Sequence, residues 1–205
     1  MSQIALPLSI GPASGPARIV VGNANAGVVE AFGVAGDWPF RTAVLQGPAR
    51  SGKSLLARWF GENGLGEAVD DADRMDETAL FHRWNRAQEA ATPLLLTASA
   101  REGGWRVALP DLASRLGAAL VLEIGAPDDA MMADLIAAHA EARALPLGEE
   151  GLRYLASRVE RSHLGAERLI AAIDRLSLER KVAPGPAIWR EALTEVSGIS
   201  QPRLL

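Results

Sequence analysis

The chain of 205 residues contains no cysteine. Disulfides, thiolate nucleophiles and cysteine-ligated metals are therefore excluded, which fits a reducing compartment. A basic excess is also missing: 21 Lys+Arg against 25 Asp+Glu leave a net charge of −4. The chain as a whole lacks the positive field of an autonomous DNA-binding domain, although a local basic patch is compatible with that balance. No apolar run approaches the ~20 residues of a membrane-spanning helix, and Met1-Ser2-Gln3 lacks the basic n-region and long apolar h-region of a signal peptide. A cytoplasmic protein without a membrane partner is the expectation. What is present is a globular composition, 48% hydrophobic, sufficient for one large domain or a core with a smaller appendage.

The most informative stretch is Gly47-Pro48-Ala49-Arg50-Ser51-Gly52-Lys53-Ser54, which satisfies G-x-x-x-x-G-K-[ST]. Thr42 to Leu45 reads as a buried strand entering it, and Leu55 to Phe60 as a helix leaving it, the setting of a phosphate-binding loop. Lys53 supplies a point charge for the β/γ-phosphates, the Ser54 hydroxyl suits Mg²⁺, and backbone N–H groups at the helix start face phosphate oxygens. Arg50 stands where many such loops have glycine, at a position that often needs a conformation costly for a side chain.

Strand and helix signals alternate from Ala17: Ile19 to Val21 extended, Ala24 to Phe32 helical, Thr42 to Leu45 extended, then the loop and its helix. A weak strand at Glu67 to Val69, a helix over Thr78 to Glu89, and strands at Leu94 to Thr97 and Leu120 to Ile124 follow. The alternation predicts a parallel sheet covered by helices. After Pro127 only helical patterns remain: Met132, Leu135, Ile136 and His139; Leu152, Leu155 and Val159; Leu169, Ile173 and Leu176; Trp189, Ala192, Leu193 and Val196. About four amphipathic helices packed as a small domain are expected. Domain bounds of 1–16 for a tail and linker, 17–126 for the α/β core and 127–205 for the helical part follow.

Asp70-Asp71 closes the weak strand after the loop, where one carboxylate can hold Mg²⁺ through water and the next can polarise an attacking water. An exposed acidic turn would look the same. Ser99 or Thr97, at the end of the next strand, is placed either to contact a γ-phosphate or to cap.

The order of these elements resembles the AAA+ ATPases, and within them the replication-initiator branch containing DnaA and the Hda-type regulators. Leu109-Pro110-Asp111-Leu112-Ala113-Ser114-Arg115-Leu116 is similar to the arginine-finger segment of the Hda type, and Leu80-Phe81-His82-Arg83-Trp84-Asn85 to the helix that follows the acidic pair. Val21-Gly22-Asn23-Ala24-Asn25 looks like the adenine-side segment, and Gly165-Ala166-Glu167-Arg168-Leu169 like the start of the sensor 2 helix. The likeness spans residues 17 to about 196 and implies a P-loop AAA+ core with a parallel sheet and a small all-helical lid. It further implies ADP or ATP with Mg²⁺, contacted by Val21, Gly22, Gly47 to Ser54, Leu55, Ser99 as sensor 1 and Arg168 as sensor 2, with Arg161 a rival for that role. Ser54 and Asp70 would serve the metal, Asp71 hydrolysis, and Arg115 would act as a finger on a neighbour's nucleotide.

Gln3-Ile4-Ala5-Leu6-Pro7-Leu8 resembles the peptide by which Hda-type proteins bind the replicative sliding clamp, its β subunit. Gln3 would hydrogen-bond a polar edge, Ile4, Leu6 and Leu8 offer apolar contact, and Pro7 limits the ordering entropy. The linker Gly11 to Pro16 would separate this tail from the core.

Two departures matter. Only fifteen residues lie between Ser54 and Asp70, room for one helix and one strand, so an edge strand usual in DnaA-like cores is expected to be lost, leaving the acidic-pair strand at the margin. Nothing in the 205 residues provides the helix-turn-helix domain of an initiator, so a regulator is expected instead. The resemblance thus implies an Hda-like protein, tied to the replisome through the clamp, that promotes hydrolysis of DnaA-bound ATP, with its own turnover slow or absent and homodimer formation open. The alternatives are a DnaC-like helicase loader or other replication adaptor, a small-molecule phosphotransferase, and a scaffold that binds no nucleotide.

Overall fold

The structure, a computed structural model, describes residues 6–7, 18–99 and 105–199. Two compact units divide it: Asn25–Gly125, and the described residues on either side of that stretch. In chain order the elements are β1 (Leu6–Pro7), β2 (Arg18–Ile19), α1 (Ala26–Phe32), β3 (Thr42–Gly47), α2 (Lys53–Glu62), β4 (Glu67–Val69), α3 (Glu77–Glu89), β5 (Leu94–Ser99), α4 (Pro110–Gly117), β6 (Leu120–Glu123), α5 (Asp129–Ala142), α6 (Glu149–Ala156), α7 (His163–Arg180) and α8 (Pro186–Ile199).

In the Asn25–Gly125 unit the strands form a four-stranded sheet, β4-β5-β3-β6, parallel throughout. The strands read as continuous apolar runs because both faces are covered. Leu94, Leu95 and Leu96 on β5 are all fully buried, each contributing about 1.5–3 kcal/mol of hydrophobic stabilisation. On one face Val44, Leu94, Leu96 and Ala98 join Leu80, Trp84 and Ala87 of α3 and Leu112 and Leu116 of α4 in one core cluster. Side-chain alternation turns Ala43, Leu45 and Leu95 to the opposite face. An aromatic group from α1, α2 and the α1–β3 connection is also buried in this unit, where the rings of Phe32 and Phe60 meet edge to face at 5.1 Å and Trp38 stacks on Phe60 at 5.5 Å. The Trp38 indole N–H donates to the Ala31 carbonyl at 2.9 Å, which satisfies its polar edge.

As the short spacing predicts, the acidic-pair strand β4 is an edge strand of this sheet. It is only three residues long, and its Glu67 is held by Arg83 of α3. Shortness and a charged, engaged side chain both discourage edge-to-edge pairing. Gly66 leads into β4 with its α-carbon against the Pro93 carbonyl and the Phe60 ring, where no Cβ fits.

The helical unit packs α5 against α6 and α7, and α7 against α8. Met131, Met132, Leu135 and Ile136 of α5, Leu169, Ile170 and Ile173 of α7, and Ile188, Ala192 and Val196 of α8 form its core. Gly151 lets α6 approach the Trp189 indole, since a Cβ there would meet the ring at 2.8 Å. The four helices expected after Pro127 are all present.

Two expectations change at the start of the chain. The alternation places Ile19 to Val21 as an early strand of the main sheet; instead Arg18–Ile19 forms β2, which pairs antiparallel with β1 in a separate two-stranded ladder, Leu6 opposite Ile19 and Pro7 opposite Arg18. The backbone of Leu6–Pro7 is therefore folded back on the chain and is not simply a tail beyond a linker. Gln3, Ile4, Leu8 and the Gly11 to Pro16 linker lie outside the described residues.

Candidate functional site

The phosphate-loop segment leaves β3 at Gly47 and enters α2 at Lys53. Gly47 is buried, and a Cβ there would lie 2.8 Å from Ser51 Oγ and 3.1 Å from Ile124 Cβ, so only glycine allows the turn to close this tightly. Arg50 (φ 64°) and Gly52 (φ 91°) both take left-handed conformations. The departure at Arg50 thus carries the expected cost: a side chain occupies a conformation glycine would adopt more cheaply. α2 begins without a side-chain cap, which leaves its first N–H groups for an anion. Ser51 Oγ is buried with no hydrogen-bond partner among the described residues.

Lys53 is 8% exposed, and its ammonium donates to the Gly47 and Pro48 carbonyls, both at 2.7 Å. Burial pulls its pKa below the usual lysine value, opposed by the charges of Asp71, Asp70 and Asp73. Those carboxylates thus belong to the electrostatic surroundings of the loop lysine. Ser54 and the loop residues Pro48, Ala49 and Arg50 are exposed. Uncapped helix N–H groups, a lysine held in the loop and an exposed Ser54 hydroxyl form a donor set that fits a nucleoside phosphate with Mg²⁺.

The acidic pair is built by β4 and its neighbour β5. Thr97, fully buried, donates from its hydroxyl to Asp70 Oδ1 at 2.6 Å, while its oxygen accepts the Asp71 N–H at 2.8 Å. One hydroxyl therefore orients both acids. Asp71 sits at φ 48°, a left-handed conformation costing on the order of 1–3 kcal/mol in a non-glycine residue. Its carboxylate pairs with Arg74 at 3.3 Å on the surface. Between the two candidates at the end of β5, the roles divide: Thr97 positions the acids, and Ser99 stands opposite Gly47 in the ladder, beside the loop's first residue. Asp73, which no motif singles out, accepts the Ser99 N–H at 3.4 Å. Among the described residues no cluster of three or more His, Asp or Glu side chains is placed to hold a metal ion.

Arg115 lies in the last turn of α4. Its guanidinium covers the Trp84 ring at 4.1 Å and the Phe81 ring at 4.8 Å, and donates to Asn85 Oδ1 at 3.1 Å. The chain leaves α4 and enters β6 with Leu120 level with Ala43, whereas the loop departs β3 from Gly47. Those levels are separated by about 13 Å along the strands, so α4 runs toward the sheet end remote from the loop, with Arg115 in its last turn. The start of α4 is tied to α3 as well: both Glu77 carboxylate oxygens accept N–H groups, from Ala108 at 2.9 Å and Leu109 at 2.6 Å. Glu77 carries no sequence signal beyond an acid in a first helical turn.

In the helical unit, Gly22 abuts Met131, where a Cβ would come within 2.8 Å of its side chain, and Val21 is half-buried. Asn23 clasps the approach to α5, donating to the Ala126 carbonyl at 3.1 Å and accepting the Asp128 N–H at 2.9 Å. Of the two sensor 2 rivals, Arg161 is paired with Asp129 at 2.7 Å, while Arg168 is exposed on α7. Leu55 is half-buried in the first turn of α2.

His163 opens α7 with Nε2 buried and without a hydrogen-bond partner among the described residues. Burial first, then the nearby His139, pushes its pKa from 6.5 down to about 4. Between those values the unfolded chain binds a proton that the folded chain refuses, so stability falls on acidification from 6.5 and the loss is complete below 4. The expected cost is about 3 kcal/mol. Urea unfolding across this pH range checks it, and His163→Gln should flatten that part of the profile.

In sequence, no family model and no curated protein matches this chain. In structure, domain III of the Thermotoga maritima replication initiation protein DnaA superposes with a TM-score of 0.71 at 17% identity, covering 92% of this chain and 99% of that one. The Thermotoga maritima RuvB Holliday junction branch migration motor gives 0.61 at 16% identity, over 84% of this chain and 68% of its own. DnaA bound to AMPPCP and single-stranded DNA gives 0.56 at 17% identity, over 80% and 66%. No helix among the described residues is long and apolar enough to cross a membrane. A four-stranded parallel sheet carrying a G-x-x-x-x-G-K-S segment, with helices packed on it, matched over 92% of the chain to DnaA domain III, gives this protein the α/β fold of that domain.

Proposed function

We propose that this protein is an Hda-like regulator of replication initiation, which binds nucleotide through its phosphate loop and promotes hydrolysis of DnaA-bound ATP through Arg115. The observation that carries this reading is the placement of Arg115 in the Leu109–Leu116 segment, in the last turn of a helix that runs away from its own loop. A guanidinium there serves another subunit's phosphates, as an arginine finger supplied in trans does. The DnaA-like fold supports a replication role by analogy.

Lys53, the α2 N–H groups, Ser54 and Ser99 would hold ADP or ATP with Mg²⁺, and Arg168, Val21 and Gly22 are proposed as further nucleotide contacts. When bound, Mg²⁺ would be held by Ser54 and Asp70 and would supply positive charge to the phosphates. On the protein side, Thr97 keeps Asp70 and Asp71 oriented, and the Asp71 carboxylate is the group able to accept a proton from water. Because the nucleotide of the proposed regulator is structural, slow turnover is compatible with the role.

Gln3, Ile4, Leu6, Pro7 and Leu8 are proposed to bind the β clamp as an extended peptide, Leu6–Pro7 exchanging its two-residue ladder with Arg18–Ile19 for the clamp and placing the core near DnaA on the same DNA. Tethering raises effective concentration, so a weak core contact suffices. The combined change of Gln3, Leu6 and Leu8 to Ala is expected to abolish clamp binding and clamp-dependent stimulation of DnaA ATP hydrolysis, with ADP affinity unchanged. A hydrolysis assay with and without DNA-loaded clamp measures this; parental stimulation by the triple variant rejects the clamp assignment.

A DnaC-like loader or other replication adaptor is the second reading, favoured by the contacts of Arg115 with its own α3. In that case Arg115 organises a protein-binding face and DnaA hydrolysis is unaffected by the protein.

A further inference from the structure

We infer that Trp84 is a positioning residue for Arg115: its indole face holds the guanidinium in place, one donor is tied to Asn85 of α3, and the remaining in-plane N–H donors are left to receive a partner's phosphates. This inference rests on the in-trans role proposed for Arg115 and assigns how the chain prepares it.

Phe81, Trp84 and Asn85 fall at i, i+3 and i+4 on α3, which places them together on one helix face. The guanidinium lies over the Trp84 ring at 4.1 Å, with Phe81 at 4.8 Å, and gives one edge hydrogen bond to Asn85. Stacking engages the flat face of a guanidinium and leaves its rim of five N–H groups to hydrogen-bond. Among the described residues one of those donors is engaged, by Asn85, and Arg115 keeps partial exposure. Such an arrangement fixes orientation while leaving donors to receive an anion. An arginine with a long free side chain would have to lose its rotamer freedom on docking; a stacked one has already lost most of it.

The chemistry of Trp84 itself points the same way. It is 6% exposed within the core cluster, yet its indole N–H is buried without a partner among the described residues. Leaving that donor unsatisfied is unfavourable, and phenylalanine would fill an apolar site without it. What indole provides beyond phenylalanine is the strongest aromatic face for a cation. Glu77, one helical stretch earlier on α3, holds the approach to α4 through Ala108 and Leu109. α3 therefore fixes both the entry of the finger helix and the direction of its arginine.

The test compares Trp84→Phe, Trp84→Leu and, as a core-destabilised control outside the guanidinium's partners, Val44→Ala. Two readouts are needed. The first is the ring-current shift of the Arg115 side-chain Nε–H and Hδ signals in the protein alone, assigned by their loss in Arg115→Lys. The second is the saturated rate of DnaA–ATP hydrolysis with DNA-loaded clamp, alongside the protein concentration giving half that rate. Trp84→Leu should lose the ring-current shift and about tenfold of the saturated rate, with the half-saturating concentration little changed. Trp84→Phe should keep a reduced shift and most of the rate, and Val44→Ala should keep both. A folded Trp84→Leu with parental saturated rate overturns the inference while leaving the role of Arg115 intact. Equal losses in Val44→Ala reduce Trp84 to a packing residue and overturn it too. A parent protein that does not stimulate DnaA at all overturns the proposed function, and this inference with it.

Discussion

Replacing Lys53 by alanine is expected to weaken ADP binding by about 100-fold or more, the effect of removing one partner from a buried, charge-assisted contact. The ammonium is held within the loop by the Gly47 and Pro48 carbonyls, so it is already near the atoms that would surround a phosphate. Stability without ligand should respond much less. Burial already disfavours the charged lysine more than Asp71, Asp70 and Asp73 favour it, so its deletion removes a desolvation cost together with two hydrogen bonds. Titration calorimetry with ADP, paired with thermal unfolding of the ligand-free protein, separates the two effects. Parental ADP affinity in Lys53→Ala would make the loop vestigial and favour a scaffold that binds no nucleotide.

Arg115→Ala is expected to reduce stimulation of DnaA–ATP hydrolysis by about 10³–10⁵-fold, the range for loss of a guanidinium that stabilises charge in phosphoryl transfer. The folded protein loses only a cation–π stack and one hydrogen bond, about 1 kcal/mol at a partly exposed site. ADP affinity and clamp binding should stay at parental values because the contacts of Arg115 are with Phe81, Trp84 and Asn85 of α3 and not with its own loop. Hydrolysis assays with DNA-loaded clamp, run beside thermal unfolding, test both halves. Loss of stability without loss of stimulation would reassign Arg115 to a structural contact with α3 and strengthen the loader reading.

Much of the fold is legible along the chain because it is encoded locally. The phosphate loop is a contiguous motif flanked by apolar runs, and β3 and α2 follow directly from it. Fifteen residues between Ser54 and Asp70 leave no room for another strand, so the edge position of β4 follows from counting residues alone. The four late helices follow from apolar residues at helical spacing, and their buried faces hold Leu135, Leu169, Ile173 and Ala192 as that spacing requires. The start of the chain departs from its expected form because a two-residue antiparallel ladder between Leu6–Pro7 and Arg18–Ile19 has no period to detect.

The sequence by itself determined the alternation that builds the parallel core and the place of its G-x-x-x-x-G-K-S segment, and it brought forward Asp70, Asp71 and Arg115 as candidates. Tertiary structure alone decided how those groups are held. Thr97 reaches Asp70 and Asp71 only because β5 lies beside β4 in register, a juxtaposition of residues more than twenty positions apart. Arg115 meets Trp84 and Asn85 only because α3 and α4 pack on the same sheet face. Propensity and spacing act over a few residues, whereas the orientation of a hydroxyl, a carboxylate or a guanidinium is set by partners that the chain brings together only after its strands have paired and its core has closed.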